Sequence, residues 1–250
     1  MIALVSAPCI APDAMPSGIA ILKGHLAQTQ VQAKCFYLAN EFELGLANKR
    51  PDLKEVYANA SEIGSDYQNP FFSALVFGHE DPAGLVKAAI RLVFARRAQL
   101  PSTLDDTEVS ERQFQSQLRR EFHLALSFCE TLKAFCQERS EHILSHRPSL
   151  IGFSCLSSQL FVALYMARLI KERSRSTSIV FGGGFLTRWN ADFYSTHLPN
   201  IDHLIVGRHT GDITEFLKSI GDGQRKSKLM VASEGKPNLA ASAPDFSDGV

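Results

Sequence analysis

The chain has 250 residues, 45% of them hydrophobic and 21% charged, which at roughly 150 residues per domain points to one decorated domain and excludes disorder for most of its length. Lys plus Arg and Asp plus Glu number 26 each, so the net charge is zero and the basic footprint of a nucleic-acid binder is missing. No apolar run approaches the roughly 18 residues of a membrane span.

Residues 2–6, Ile-Ala-Leu-Val-Ser, predict a strand almost at the first residue. A loop rich in Pro, Ala and Ser follows from Ala7 to Pro16, and Ser17 can cap a helix with Ile19, Leu22 and Leu26 at steps of three and four. Val31 to Leu38 is the next strand candidate, completing a parallel βαβ unit. From about 41 to 147 no strand is expected. Pro51 opens one helix and Asp81-Pro82 another, separated by an aromatic stretch with Tyr67, Phe71, Phe72 and Phe77. Phe114, Leu118, Phe122, Ala125, Cys129, Leu132 and Cys136 recur at steps of three and four, the mark of a long helix from Glu111 to about Ser145. The aromatic stretch reads as core or as the cover of a ligand face.

Alternation then resumes. Leu150 to Cys155 reads as a buried strand, followed by a helix carrying Leu160, Leu164, Ala167 and Ile170. Ser178 to Phe181 is a strand running into Gly182-Gly183-Gly184, and a helix with Trp189, Phe193 and Leu198 comes next. His203 to Val206 is the fifth strand, Asp212 caps a last helix that stops at Gly221, and 223–250 reads as a linker-like tail. The expected fold is α/β, a flavodoxin-like (Rossmann-like) five-stranded parallel sheet over 1–222, with a large helical insertion between strands 2 and 3 at about 41–147.

In such sheets ligands sit beyond the carboxyl ends of the strands, near the point where strand order reverses. The residues to watch are therefore Ser6, Ala7, Pro8 and Cys9; Ser154, Cys155, Leu156, Ser157 and Gln159; Gly182, Gly183, Gly184 and Phe185; and Gly207. Three consecutive glycines let a backbone approach a flat or phosphorylated ligand, or make a tight strand-to-helix turn. The run is not GxGxxG and GxSxG is absent, which argues against a dinucleotide fingerprint and a nucleophile elbow. Ser154, Ser157, Ser158 and Gln159 offer hydroxyls and an amide that can hold a ligand or cap a helix. His142 and His146 stand four apart, a spacing that can share a metal, but Cys129 and Cys136 beside them fall on the apolar stripe, and no metal site is assigned. No acid/base couple stands out, so no catalytic residue is assigned.

Ala3-Leu4-Val5-Ser6-Ala7-Pro8, Met15-Pro16-Ser17, Phe71-Phe72-Ser73-Ala74-Leu75-Val76-Phe77-Gly78, Ile151-Gly152-Phe153-Ser154-Cys155, Ala167-Arg168-Leu169-Ile170-Lys171 and Val180-Phe181-Gly182-Gly183 follow one another in an order and spacing that resembles the N-terminal cobalamin-binding domain of cobalamin-dependent radical SAM enzymes, particularly those maturing ribosomal peptide natural products. Ser154-Cys155-Leu156 is similar to the SxL signature of cobalamin domains and Gly182-Gly183 to their GG. The resemblance implies that these residues line the pocket of the dimethylbenzimidazole tail. The DxHxxG element is missing, so a bound cobalamin is expected to have no histidine axial ligand. The chain departs from the family at Gly207-Arg208-His209-Thr210-Gly211, where Gly-Glu-Gly-Glu is usual. It also has no CxxxCxxC among Cys9, Cys35, Cys129, Cys136 and Cys155, so no iron–sulfur cluster is expected in this chain.

The leading expectation is thus a cobalamin-binding module of a radical SAM, methyltransferase-like peptide-modifying system, truncated or split from its barrel and not catalytic alone. Its partners would be a radical SAM barrel protein or a peptide substrate complex, with no nucleic acid and no membrane. The odd, scattered cysteines and the lack of a basic start to the chain make the cytoplasm the expected setting. The alternative is a degenerate flavodoxin-like interaction or scaffold subunit without cofactor; an independent nucleotide or flavin enzyme ranks third.

Overall fold

The computed structural model describes residues 1–8, 17–62, 65–99, 111–184, 193–194, 196–198, 200–207, 210–223, 229–231, 245 and 247–248. All five expected strands are present: β1 (Ile2–Ser6), β2 (Ala33–Tyr37), β3 (Leu150–Ser154), β4 (Ser178–Gly182) and β5 (His203–Val206). They pair in parallel in the order β2-β1-β3-β4-β5, with Ile2 opposite both Ala33 and Leu150, and Ser154 opposite Gly182. The order reverses between β1 and β3. The fold is therefore the flavodoxin-like α/β sheet read from the alternation.

A sixth strand, β6 (Leu229–Val231), pairs in parallel with β5. It lies inside the stretch expected to be a linker. Three apolar residues suffice there, because the outer edge of β5 offers a ready row of backbone partners. Residues farther along the same stretch also return to the fold, with the Asp245 N–H donating to the carbonyl of Ala20 at 3.1 Å.

Strand alternation divides the core between the two faces of the sheet. Ile2, Leu4, Cys35, Leu150, Val180 and Ile205 point to one face, where they meet α1 (Ser17–Gln28) and α8 (Thr210–Gly221). Ala3, Val5, Phe36, Ile151, Phe153, Phe181 and Leu204 point to the other. That face packs against α7 (Leu160–Arg173) and against the helical insertion: α2 (Leu38–Lys49), α3 (Pro51–Glu62), α4 (Ser65–Phe77), α5 (Pro82–Gln99) and α6 (Glu111–Ser145). α2 begins directly at Leu38, which is fully buried and so joins the helix rather than ending the strand.

The long helix has the bounds its periodicity implies, and Ala125, Phe128, Cys129, Leu132, Cys136 and Ile143 are its buried stripe. The aromatic stretch resolves to core at Phe71 and Phe72, whose rings lie 5.4 Å apart, with Phe72 also 5.4 Å from Tyr165 of α7. Phe77 stays exposed. Asp212 is not the cap of the last helix, which starts at Thr210; it sits in the first turn, where a carboxylate complements the helix dipole. Among the described residues no helix is long and apolar enough to cross a membrane.

Candidate functional site

On the α1/α8 face the side chains shrink toward the carboxyl ends of the strands. β1 ends in Ser6, β3 carries Gly152 and Ser154, β4 ends in Gly182, and Gly207 follows β5. Small residues side by side leave an unfilled groove of about 450 Å³, part of it open to solvent. Leu4, Gly152 and Val180 form its floor; Ile19 and Leu22 of α1 wall one side, and Ile213 and Leu217 of α8 the other. Ser154, Gly182, Gly183 and Gly207 stand at its mouth. The groove thus opens beyond the strand ends, beside the reversal of strand order. Its lining is mostly apolar with a polar rim, which suits the edge of a flat, largely apolar group.

Gly152 went unassigned in the sequence, although a glycine inside a strand is itself a signal of close approach. A Cβ there would stand 3.4 Å from Leu4 Cδ2 and face the groove, so the missing side chain is what opens the floor. The glycine run divides into two roles. Gly182 and Gly183 line the groove. Gly183 also has φ +111°, and a Cβ on it would come within 2.3 Å of the Cys155 carbonyl oxygen and 2.6 Å of its nitrogen. Backbone packing against the turn after β3 therefore demands this glycine, with or without a ligand. The Cys155 N–H donates to the Gly182 carbonyl at 2.9 Å across the same contact. Gly184 meets only the tip of Leu156, at 3.3 Å.

Of the residues flagged after the first strand, Ser6, Ala7 and Pro8 are buried at the strand end. Cys9 and Phe185 lie outside the described residues, as do Arg208 and His209. Cys155 points away from the groove into the core under the insertion, where burial raises its thiol above the usual range. Leu156 is exposed beside the mouth, and Ser157 opens a short 3-10 turn. Gln159 is fully buried and committed to its own neighbourhood. Its Nε2 donates to the carbonyl of Ala7, and its Oε1 accepts from the Leu156 N–H at 2.9 Å. One amide thus ties the segment after β1 to the turn after β3. Gln68 of α4 does the same from the insertion, its Nε2 donating to the Ser158 carbonyl at 2.8 Å. The sequence held no pattern to single out Gln68; a lone buried amide becomes legible only through its partner.

His142, in the last turn of α6, and His146, just beyond it, lie on the other face of the sheet from this groove. Their rings are 5.1 Å apart and pack on Phe36, and Lys34 Nζ stands 3.3 Å from His146 Nε2. Burial, the lysine and the neighbouring histidine all push the His146 pKa down. A cation already occupies that position, which opposes a metal there. Among the described residues no cluster of three or more His, Cys, Asp or Glu is placed to hold a metal ion. No family model, curated protein or solved structure compared with the chain matches it.

Proposed function

We propose that the chain is a cobalamin-binding module of a radical SAM, methyltransferase-like peptide-modifying system, and that it is not catalytic by itself. The observation that carries this reading is the apolar groove between α1 and α8, floored by Gly152 and mouthed by Ser154, Gly182, Gly183 and Gly207. Ser154 belongs to the SxL-like stretch, and Gly182 and Gly183 make up the GG-like one. The edge of a bicyclic base would enter between the aliphatic walls, in the space a Cβ at residue 152 would begin to fill. The Ser154 hydroxyl would meet the polar part of that tail at the rim, and the exposed Leu156 would offer an apolar contact outside it. Bound cobalamin would supply a transferable methyl group on cobalt, whereas this chain's residues bind and orient it. Catalysis also needs a cluster that the five cysteines, lacking CxxxCxxC, are not spaced to hold. The working partner is then a radical SAM barrel with its peptide, and the setting is the reducing cytoplasm that such a cluster requires.

Titration of the protein with hydroxocobalamin tests the reading. Saturable change in the corrin absorption and co-elution on gel filtration are the expected result. Gly152→Leu, which puts an isobutyl group into the groove, should weaken binding by more than about tenfold while leaving the melting temperature near that of the unsubstituted protein. No spectral change and no co-elution with the unsubstituted protein would overturn it.

One observation favours the scaffold reading. The close approach of Gly183 to Cys155 explains the most conspicuous glycine without any ligand. On that reading Gly152→Leu would leave partner binding intact. Gly183→Val does not discriminate, because it breaks the turn in either case.

A further inference from the structure

The buried side of α1, beside the groove wall, carries a charged cluster that the groove does not use. Lys23 occupies a buried position on α1, its side chain only 9% exposed. Its Nζ lies 2.7 Å from Asp248 Oδ2 and 3.4 Å from Asp245 Oδ2, and donates to Ser247 Oγ at 2.8 Å. All three partners come from the far end of the chain. An ammonium so enclosed is tolerated only when its donors are met, and this one has three oxygens around it.

The same segment makes two backbone contacts. The Asp245 N–H donates to the Ala20 carbonyl of α1, and Asp248 Oδ2 accepts the Cys35 N–H at 2.6 Å. Cys35 belongs to β2, the edge strand, whose outward N–H groups have no neighbouring strand to meet them. Cys35 Sγ in turn donates to the Ile19 carbonyl at 3.4 Å. Ile19 and Leu22, four and one residues before Lys23 in the same two turns of helix, are the α1 wall of the groove.

Resting on the cobalamin reading for the identity of the ligand, we propose that Asp245, Ser247 and Asp248 form a strap that fixes α1 against the sheet, with Lys23 and Asp248 as positioning residues for the groove wall. The strap closes a chain of direct contacts from Asp248 through Lys23 and Cys35 to Ile19. Without it, α1 is held to the sheet by its apolar contacts alone, and a helix so held can shift and widen the slot. The strap grips Lys23 through two ion pairs and a hydrogen bond, so it is the part of the site most sensitive to charge and salt.

The test uses the full chain in three forms: unsubstituted, Lys23→Met, which keeps the aliphatic stem, and Lys23→Arg, which keeps the charge; Asp248→Asn serves as the reciprocal change. Amide hydrogen exchange of ligand-free protein reads α1 directly, and hydroxocobalamin titration reads the groove. Lys23→Met and Asp248→Asn should speed exchange across residues 19–26 while α7 keeps its protection. Both should raise the hydroxocobalamin Kd about five- to tenfold at a temperature where the protein is fully folded, and Lys23→Arg should restore most of it. A role in stability alone would lower the melting temperature and leave that Kd in place. Unchanged exchange in α1, or faster exchange with an unchanged Kd, overturns the strap. If the unsubstituted protein takes up no cobalamin, the proposed function falls, and α1 exchange alone decides the strap.

Discussion

Two adjacent glycines in one loop have unequal consequences, because backbone and side-chain neighbours give way differently. At Gly183 both the positive φ and the rigid Cys155 backbone forbid a Cβ. Gly183→Ala should therefore destabilise the protein by about 3 kcal/mol or more. At Gly184 the only close atom is the end of the Leu156 side chain, which can turn aside. Gly184→Ala should change stability by less than about 1 kcal/mol. Urea denaturation of the two variants measures both, and equal effects would contradict the assigned contact. The sequence showed a run of three glycines but not which of them was indispensable, since that depends on Cys155, nearly thirty residues away. Gly152 was visible as a break in a strand of large apolar residues. Its meaning needed the neighbouring Ser154 and Gly182 on the same face.

Elements were legible where a pattern repeats. The apolar runs of β1, β3 and β4 and the three-four stepping in α6 are each long enough to override local exceptions. β6 was not legible, because three residues in a polar stretch carry no period and acquire their structure from the free edge of β5. Nor was the tie between elements. Gln159 joins the ends of β1 and β3 through the Ala7 carbonyl and the Leu156 N–H, and nothing in Ser-Ser-Gln announces that. Gln159→Ala would leave both groups without their partner at a buried position. The expected loss is about 2–3 kcal/mol of stability, measured by chemical denaturation, with Gln159→Glu restoring at most the acceptor. A change below about 0.5 kcal/mol would show that water replaces the amide there.

Across the whole molecule, the strap gives stability a defined pH window. Hydrogen bonds from Ser247, then the nearby Lys23 ammonium, hold the Asp245 pKa below its ordinary 3.8. That contribution is complete above about pH 4 and is lost as pH falls through the lowered folded value. Burial works to lower the Lys23 pKa, but the hydrogen bond and charge of Asp248, with Asp245 behind it, raise it above the ordinary 10.5. Its contribution is complete below that ordinary value and is lost as pH climbs through the raised one. Burial pushes the Cys35 thiol up to about 12, and Tyr37 is displaced upward as well, so neither adds charge inside that interval. Protection of α1 amides should therefore be level from about pH 4 to 10 and decline on both sides. The decline should be absent in Lys23→Met, which already lacks the strap. A steady slope across neutral pH would point instead to a histidine.

The insertion between β2 and β3 lies on one side of the sheet and the groove on the other. The crossover from β2 to β3 is also the longest loop the sheet closes, since Leu150 pairs directly with Ile2. Closure entropy grows only with the logarithm of loop length, so doubling such a crossover adds about 0.6 kcal/mol. Longer loops between these helices would therefore be tolerated without touching the groove, so long as the helices keep this face of the sheet covered. The turn of α4 bearing Gln68 has the least freedom, because its hold on Ser158 ties the insertion to the turn beside the groove.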